Sequence, residues 1–96
     1  MSLLEHPMHP GEVLKVLYLG PLDMGAIALA RRLGVPRTRI ERLVKGATGM
    51  TSDTALRLAQ AFKTTPTYWM NLQTNYDIAR AAREVDVSGI EPLMAA

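Results

Sequence analysis

The chain has 96 residues, a net charge of +2 and no cysteine. This length supports one domain with a modest core, and the missing thiols exclude disulfides and thiolate-bound metals. No apolar run approaches the ~20 residues that cross a bilayer. The first residues lack the basic start and long apolar stretch of a secretory signal. We therefore expect a cytoplasmic protein without a membrane segment, organised as one domain over residues 1–96.

Three helices are predicted in the first half of the chain. Pro10 lies in the first turn of a helix that runs to about residue 19, where a Gly-Pro pair stops it. A second helix covers about residues 26–33 and ends at Gly34, which takes the left-handed conformation at little cost. A third covers about residues 37–45 and ends at Gly46.

Two further helices begin at threonine caps. Thr51 precedes a helix with Asp53 in its first turn, where the helix dipole favours an acid. Its buried stripe recurs at helical spacing and comprises Ala55, Leu58, Ala59 and Phe62. Thr65-Pro66 opens the last helix, and the helix together with the tail covers about residues 66–96. Residues 85–96 are predicted to be a short strand or a loose tail. The expected class is thus all-α.

The positive charge is concentrated in one short segment. Residues 31–45 hold six basic side chains and one acid, Glu41, whereas both flanks carry net negative charge. Such a localised basic patch is the electrostatic footprint of a nucleic-acid surface, although basic helices are also often simply solvated. Glu41 is expected to pair with Lys45 one turn later.

A helical wheel separates the third helix into an apolar and a basic side. At ~100° per residue, one arc gathers Ile40, Leu43 and Val44. The opposite direction is occupied by Thr38, Arg42 and Lys45, and the two edges carry Arg37 and Arg39. This arrangement suits a helix in the DNA major groove, with central side chains at base edges and flanking cations at phosphates. The alternative is a surface helix of mixed charge.

The segment "LARRLGVPRTRIERLVKG" resembles the helix-turn-helix of the lambda-repressor/Cro-like superfamily. More narrowly, four segments occur in the order typical of HigA-like antitoxins, the VapI group: "HPGEVL", "LGVPRTRIERLVKG", "TSDTALRLAQAF" and "YWMNLQTNYD". The resemblance covers residues 9–82. It implies a five-helix DNA-binding domain with its motif at about residues 26–46. It also implies a homodimer that represses its own operon and neutralises a small, mRNA-cleaving toxin.

The resemblance also assigns roles to individual residues. Its base-contacting positions fall on Arg37, Thr38 and Arg42. Phosphate contacts are expected from Arg39, Lys45, Thr48 and Thr51. Where the family has a serine cap and a DNA-contacting glutamine, this chain has Gly25 and Ala26, so more of the contact is expected from the arginines. The family's threonine before "HPGE" is Met8 here, which predicts a less firmly capped first helix.

Other functions have weaker support in the sequence. One metal-like cluster, interrupted by prolines, is formed by Glu5, His6, His9 and Glu12, but its spacing is not that of a metal site. We expect no metal, no cofactor and no enzymatic activity. The alternatives to an antitoxin are a regulator of the same fold without a toxin, and a protein-interaction module that lacks DNA binding. The proposed toxin is basic, and the acids available to it are Glu5, Glu12, Asp77, Glu84, Asp86 and Glu91.

Overall fold

The computed structural model describes residues 6–95 and contains five helical segments in that range. Helix α1 spans Pro10–Val13 and continues as a π-helical stretch, Leu14–Leu19. It is followed by α2 (Ala26–Leu33), α3 (Arg37–Val44), α4 (Ser52–Phe62) and α5 (Pro66–Glu84). No strand occurs within residues 6–95, so the all-α prediction is confirmed, and of the two alternatives for the tail the short strand does not form over residues 85–95. No helix in that range is long and apolar enough to cross a membrane.

The predicted caps of α4 and α5 are present. The hydroxyl of Thr51 accepts a hydrogen bond from the Thr54 N–H, and that of Thr65 accepts one from the Tyr68 N–H. Helix α2 ends at Gly34 with φ of 72°, the left-handed conformation expected there. The π-helical stretch was not predicted: the Gly20 N–H donates to the Lys15 carbonyl at 2.9 Å, which closes a wider turn.

The core lies where α1, α2, α3 and α4 converge on the first half of α5. Its fully buried side chains include Leu14, Leu29, Ile40, Leu43, Leu58 and Trp69. Helix α2 packs against α3, α4 packs against α5, and α1 lies between α3 and α5. Gly11 makes this possible, because a Cβ at that position would overlap the carbonyl of Leu43. The position of α3 is therefore set by α1 as well as by α2.

An aromatic cluster joins α1, α4 and α5. The ring of Trp69 lies 5.0 Å from those of Tyr18 and Tyr68, and its Nε1 donates to the Thr64 hydroxyl at 2.8 Å. Tyr18 donates to the Tyr68 hydroxyl at 3.1 Å. Burial raises the pKa of Tyr68 to about 12. The cluster anchors the start of α5 to the body of the molecule.

Candidate nucleic-acid interface

Helix α3 turns its basic side outward. Ile40 and Leu43 are buried against α1 and α2, while Thr38 and Arg42 are exposed on the far side. The inward stripe predicted by the helical wheel is thus confirmed. Since the apolar stripe fixes the rotation of the helix, the same packing that forms the core also sets which side chains face solvent.

A groove of about 480 Å³ runs between α3 and the loop that precedes α4. Five of the seven residues predicted to contact DNA line it together: Thr38, Arg39, Arg42, Thr48 and Thr51. The loop residues are up to thirteen positions from those on α3, so their meeting is a product of the fold. The groove combines guanidinium donors on one wall with threonine hydroxyls on the other, a set of groups that suits phosphate oxygens.

The remaining two predicted residues lie outside this groove. Arg37 is exposed at the start of α3 and faces Glu41 at 3.9 Å, so the predicted pairing of Glu41 with Lys45 is wrong. Lys45 follows the last residue of α3 and borders a second depression, next to His9 and α1. The wheel placed Lys45 beside Arg42, but regular helical rotation ends before Lys45.

Arg39 is held in place by an acid on α4. Asp53 Oδ1 accepts from Arg39 Nη1 at 2.7 Å and from Arg57 Nε at 2.8 Å. Arg57 Nη1 also donates to the carbonyl of Leu33 at 2.8 Å. Hydrogen bonds from Arg57 and Arg39 hold the pKa of Asp53 below its ordinary value. This chain of contacts ties α2, α3 and α4 together at the rim of the groove.

Arg42 differs from Arg39 in having no acid to hold it. Within residues 6–95, no carboxylate lies within ion-pair distance of its guanidinium. Its five donors are therefore directed to solvent, and a guanidinium of this kind can bind a guanine edge or a phosphate in bidentate fashion. The sequence showed both arginines on one helix but gave no sign that an acid fourteen residues away neutralises one of them.

The loop between α3 and α4 is held in place by a hydrogen bond to α5. Gly46 has φ of 75°, and Ala47 N–H donates to the Arg42 carbonyl at 2.9 Å, so the chain turns sharply after α3. The Met50 N–H then donates to Gln73 Oε1 at 2.6 Å. Gln73 lies in the "WMNLQ" segment but carried no predicted role. The only sequence signal was the distinctive segment itself.

His9 is a structural residue. Its Nδ1 accepts from the Gly11 N–H at 2.9 Å and caps α1, so the cap comes from this residue although Met8 stands where a threonine was expected. Its ring packs edge-on against Tyr76, with centroids 5.0 Å apart. Burial lowers the pKa of His9, partly opposed by a hydrogen bond to the Thr48 backbone. Glu5 of the metal-like cluster lies outside the described residues, and residues 6–95 contain no metal-binding group of three acids or histidines.

Two helices that pack around a glycine turn, the second with an exposed polar face, define a helix-turn-helix protein. A family model described as helix-turn-helix accordingly matches residues 24–69. Antitoxin HigA-1 of Vibrio cholerae is 34% identical over 89 residues, which are 91% of this chain and 84% of that protein.

Solved structures narrow the family further. PA4674 of Pseudomonas aeruginosa, in complex with its operator DNA, has a TM-score of 0.88 and 37% identity, covering 92% of this chain and 98% of that one. An addiction module antidote protein of the HigA family from Coxiella burnetii is 49% identical, with a TM-score of 0.78 over 82% of this chain and 86% of that one. The chain belongs to the HigA-like family of DNA-binding antitoxins.

Proposed function

We propose that this protein binds a specific operator through α3 and the adjoining groove, represses its own operon and neutralises a cognate mRNA-cleaving toxin. The observation that carries the DNA part is the groove itself. It joins Arg42, Arg39 and three threonines beside the exposed face of a helix that packs as a recognition helix. We assign no catalytic step to the protein. Because its proposed ligands are operator DNA and a toxin of the same cell, we place its action in the cytoplasm.

The base contacts are assigned to the outward face of α3. Arg42 and Thr38 share that face, and Arg37 lies at its edge, one residue before Thr38 at the start of the helix. Arginine can bond the O6 and N7 atoms of guanine together, and threonine can bond a base or contact a thymine methyl group. Arg42 is assigned the strongest base contact because no acid in the described chain competes for its guanidinium.

The phosphate contacts are assigned to the edges of that face. Arg39 is oriented by Asp53, so a phosphate can replace water around it without first ordering the side chain. Thr48 and Thr51 present hydroxyls from the opposite wall of the groove. Lys45 lies on the α1 side of α3, from which it can reach a phosphate on the other strand of the DNA duplex. Contacts of this kind fix the register of the protein on the duplex without reading its sequence.

The test of DNA reading compares Arg42→Ala with Arg80→Ala. Loss of a bidentate base contact is expected to weaken operator binding by ~1–3 kcal/mol and to relax preference at one base pair. Arg80 is an exposed arginine on α5 that pairs with Glu84 at 3.5 Å, so its removal changes net charge equally but leaves α3 intact. Binding is measured by fluorescence anisotropy on an operator and its single-base variants. Unchanged discrimination by the Arg42 variant would overturn the assignment.

We also propose a homodimer that reads a pseudo-palindrome with its two α3 helices about one DNA turn, ~34 Å, apart. Exposed apolar side chains support the proposed dimer. Exposed large side chains accumulate on the second half of α5 and on the tail: Ile78, Val85, Val87, Ile90, Leu93 and Met94. A second copy would remove this surface from water, and a chain of this size gains stability from such burial.

The toxin is proposed to bind away from the DNA face, because repression by a toxin–antitoxin complex requires free recognition helices. Acids outside the motif suit a cationic, RNA-cleaving partner and would chiefly speed association. Of those named above, Glu12, Asp77, Glu84, Asp86 and Glu91 are exposed, and Glu5 lies outside the described residues.

A co-expression experiment tests whether the two surfaces are separate. The neighbouring gene is expressed with the wild-type protein and with an Arg37→Ala/Arg42→Ala variant. We expect this variant to rescue growth while failing to bind the promoter. If it folds but loses rescue as well, one surface serves both ligands. If the neighbour is not toxic, the protein is a regulator without a toxin partner.

A further inference from the structure

Helix α5 reaches the DNA-facing loop through one side chain. Gln73 accepts the Met50 N–H at 2.6 Å and donates from Nε2 to Asp77 Oδ1 at 2.9 Å. The carboxylate of Asp77 thus fixes the amide so that its oxygen points toward the loop. Gly49 lies against the same amide, since an added Cβ there would stand 3.0 Å from Gln73 Oε1. The loop is therefore seated on a hydrogen-bonded pair that belongs to α5.

The residues seated in this way flank the groove. Gly49 lines it directly, and its neighbours Thr48 and Thr51 supply two of the proposed phosphate contacts. The Met50 side chain is buried in the core, while its amide is the point at which α5 holds the loop. Moving this amide would displace both threonines together, because three peptide units join them and each has only two soft dihedral angles.

We propose that Gln73 is a positioning residue for DNA binding: it holds residues 48–51 in the conformation that meets the phosphate backbone. The inference rests on the proposed function and extends it to a side chain that lines no part of the groove. The Gln73–Met50 hydrogen bond joins α5 directly to the DNA-facing loop. The same helix carries the apolar surface assigned to the dimer.

The proposal separates two components of DNA binding. Base reading is assigned to α3, to which Gln73 makes no hydrogen bond within residues 6–95, whereas phosphate binding by the loop depends on it. Gln73→Ala is therefore expected to weaken operator and non-specific DNA by the same factor, about three- to tenfold, the scale of one lost hydrogen bond. The slope of log K against log salt concentration is expected to stay unchanged, because Thr48 and Thr51 carry no charge and their phosphate contacts release no counterion. Base preference across an operator series is expected to stay unchanged.

A rescue variant with unchanged net charge distinguishes loss of loop positioning from a general loss of structure in α5. Gln73→Glu combined with Asp77→Asn keeps an acceptor for the Met50 N–H, reverses the donor and acceptor between positions 73 and 77, and leaves net charge unchanged. It is expected to restore the affinity. Thr74→Ala, at an exposed neighbouring position, is the control that changes α5 without touching the loop.

The experiment combines DNA titrations at several salt concentrations with amide hydrogen exchange of the full chain. In the free protein, the Met50 amide is expected to exchange at least about tenfold faster in Gln73→Ala than in wild type, while core amides of α2 and α4 keep their protection. Wild-type affinity in a folded Gln73→Ala variant would overturn the proposal, as would failure of the double variant to restore it. Absence of DNA binding by the wild type would instead overturn the proposed function.

Discussion

The two ends of α5 lie in different environments. Trp69, near its start, is fully buried among three other aromatic rings, whereas every residue from Ala81 to Ala95 is exposed. The molecule is correspondingly elongated, with dimensions of 50 × 25 × 21 Å and a radius of gyration of 16.0 Å, against about 12–13 Å for a compact chain of this length. One helix therefore belongs to the core at one end and projects from it at the other.

This difference separates two uses of apolar residues. In the body, side chains such as Leu58 fill a closed core, so the sequence pattern specifies the fold. In the projecting part, Val87 and Ile90 stay 60% and 71% exposed, so their apolar character adds little to the stability of the isolated monomer. An exposed apolar surface of this size is typical of association, which agrees with the proposed dimer.

The largest difference in stability is expected between alanine substitutions at two glycines. Gly11→Ala forces a Cβ onto the Leu43 carbonyl, which belongs to the backbone and cannot rotate away. We expect the variant to lose at least ~4 kcal/mol in the free energy of unfolding or not to fold at all. Gly89→Ala meets nothing within 4 Å and is expected to stay within ~0.5 kcal/mol of wild type. Urea denaturation measures both, and equal stabilities would contradict the packing of α1 on α3.

Added negative charge tests whether the second half of α5 and the tail form the dimer interface. Ile78→Glu combined with Val85→Glu places two carboxylates on the surface assigned to the dimer. We expect dimerisation to weaken by ~3 kcal/mol, roughly a hundredfold, with the monomer fold unchanged. Leu56→Glu is the control, because Leu56 is equally exposed but lies on α4. Light scattering across a dilution series gives the oligomeric state. A wild-type monomer at micromolar concentration, with and without DNA, would contradict the proposed dimer.

The packed part of the molecule, α1 to the start of α5, and the projecting part, the second half of α5 with the tail, also differ in how much the sequence predicts. The bounds of α2, both threonine caps and the inward stripe of α3 follow from local rules, and the structure agrees with them. The contacts of Asp53 with Arg39 and of Gln73 with Met50 span 14 and 23 positions, and no local pattern encodes such pairs. The π-helical turn depends on how α1 fits its neighbours. In the tail, the sequence left a short strand and a loose tail open, and a strand would need a pairing partner, which the described chain does not provide.

The smallest expected effect concerns His9, where the loop, α1 and α5 meet. Burial lowers its pKa below 6.5, against the hydrogen bond to Thr48 and the charges of Asp77 and Glu12. Protonation would also abolish the lone pair that accepts the Gly11 N–H. A depressed pKa means that the unfolded chain binds the proton more readily. The contribution of His9 to stability is therefore complete above about pH 6.5 and is lost as the pH falls through the lower, folded value.

The variant that tests this is His9→Asn, because asparagine caps helices well and does not titrate near neutral pH. Unfolding free energies are measured between pH 7.5 and pH 5. Wild type is expected to lose more stability over that interval than His9→Asn, whereas His6→Asn, altered at an exposed histidine outside α1, is expected to follow wild type. Parallel curves for wild type and His9→Asn would show that the His9 ring holds α1 and the loop equally well in either protonation state.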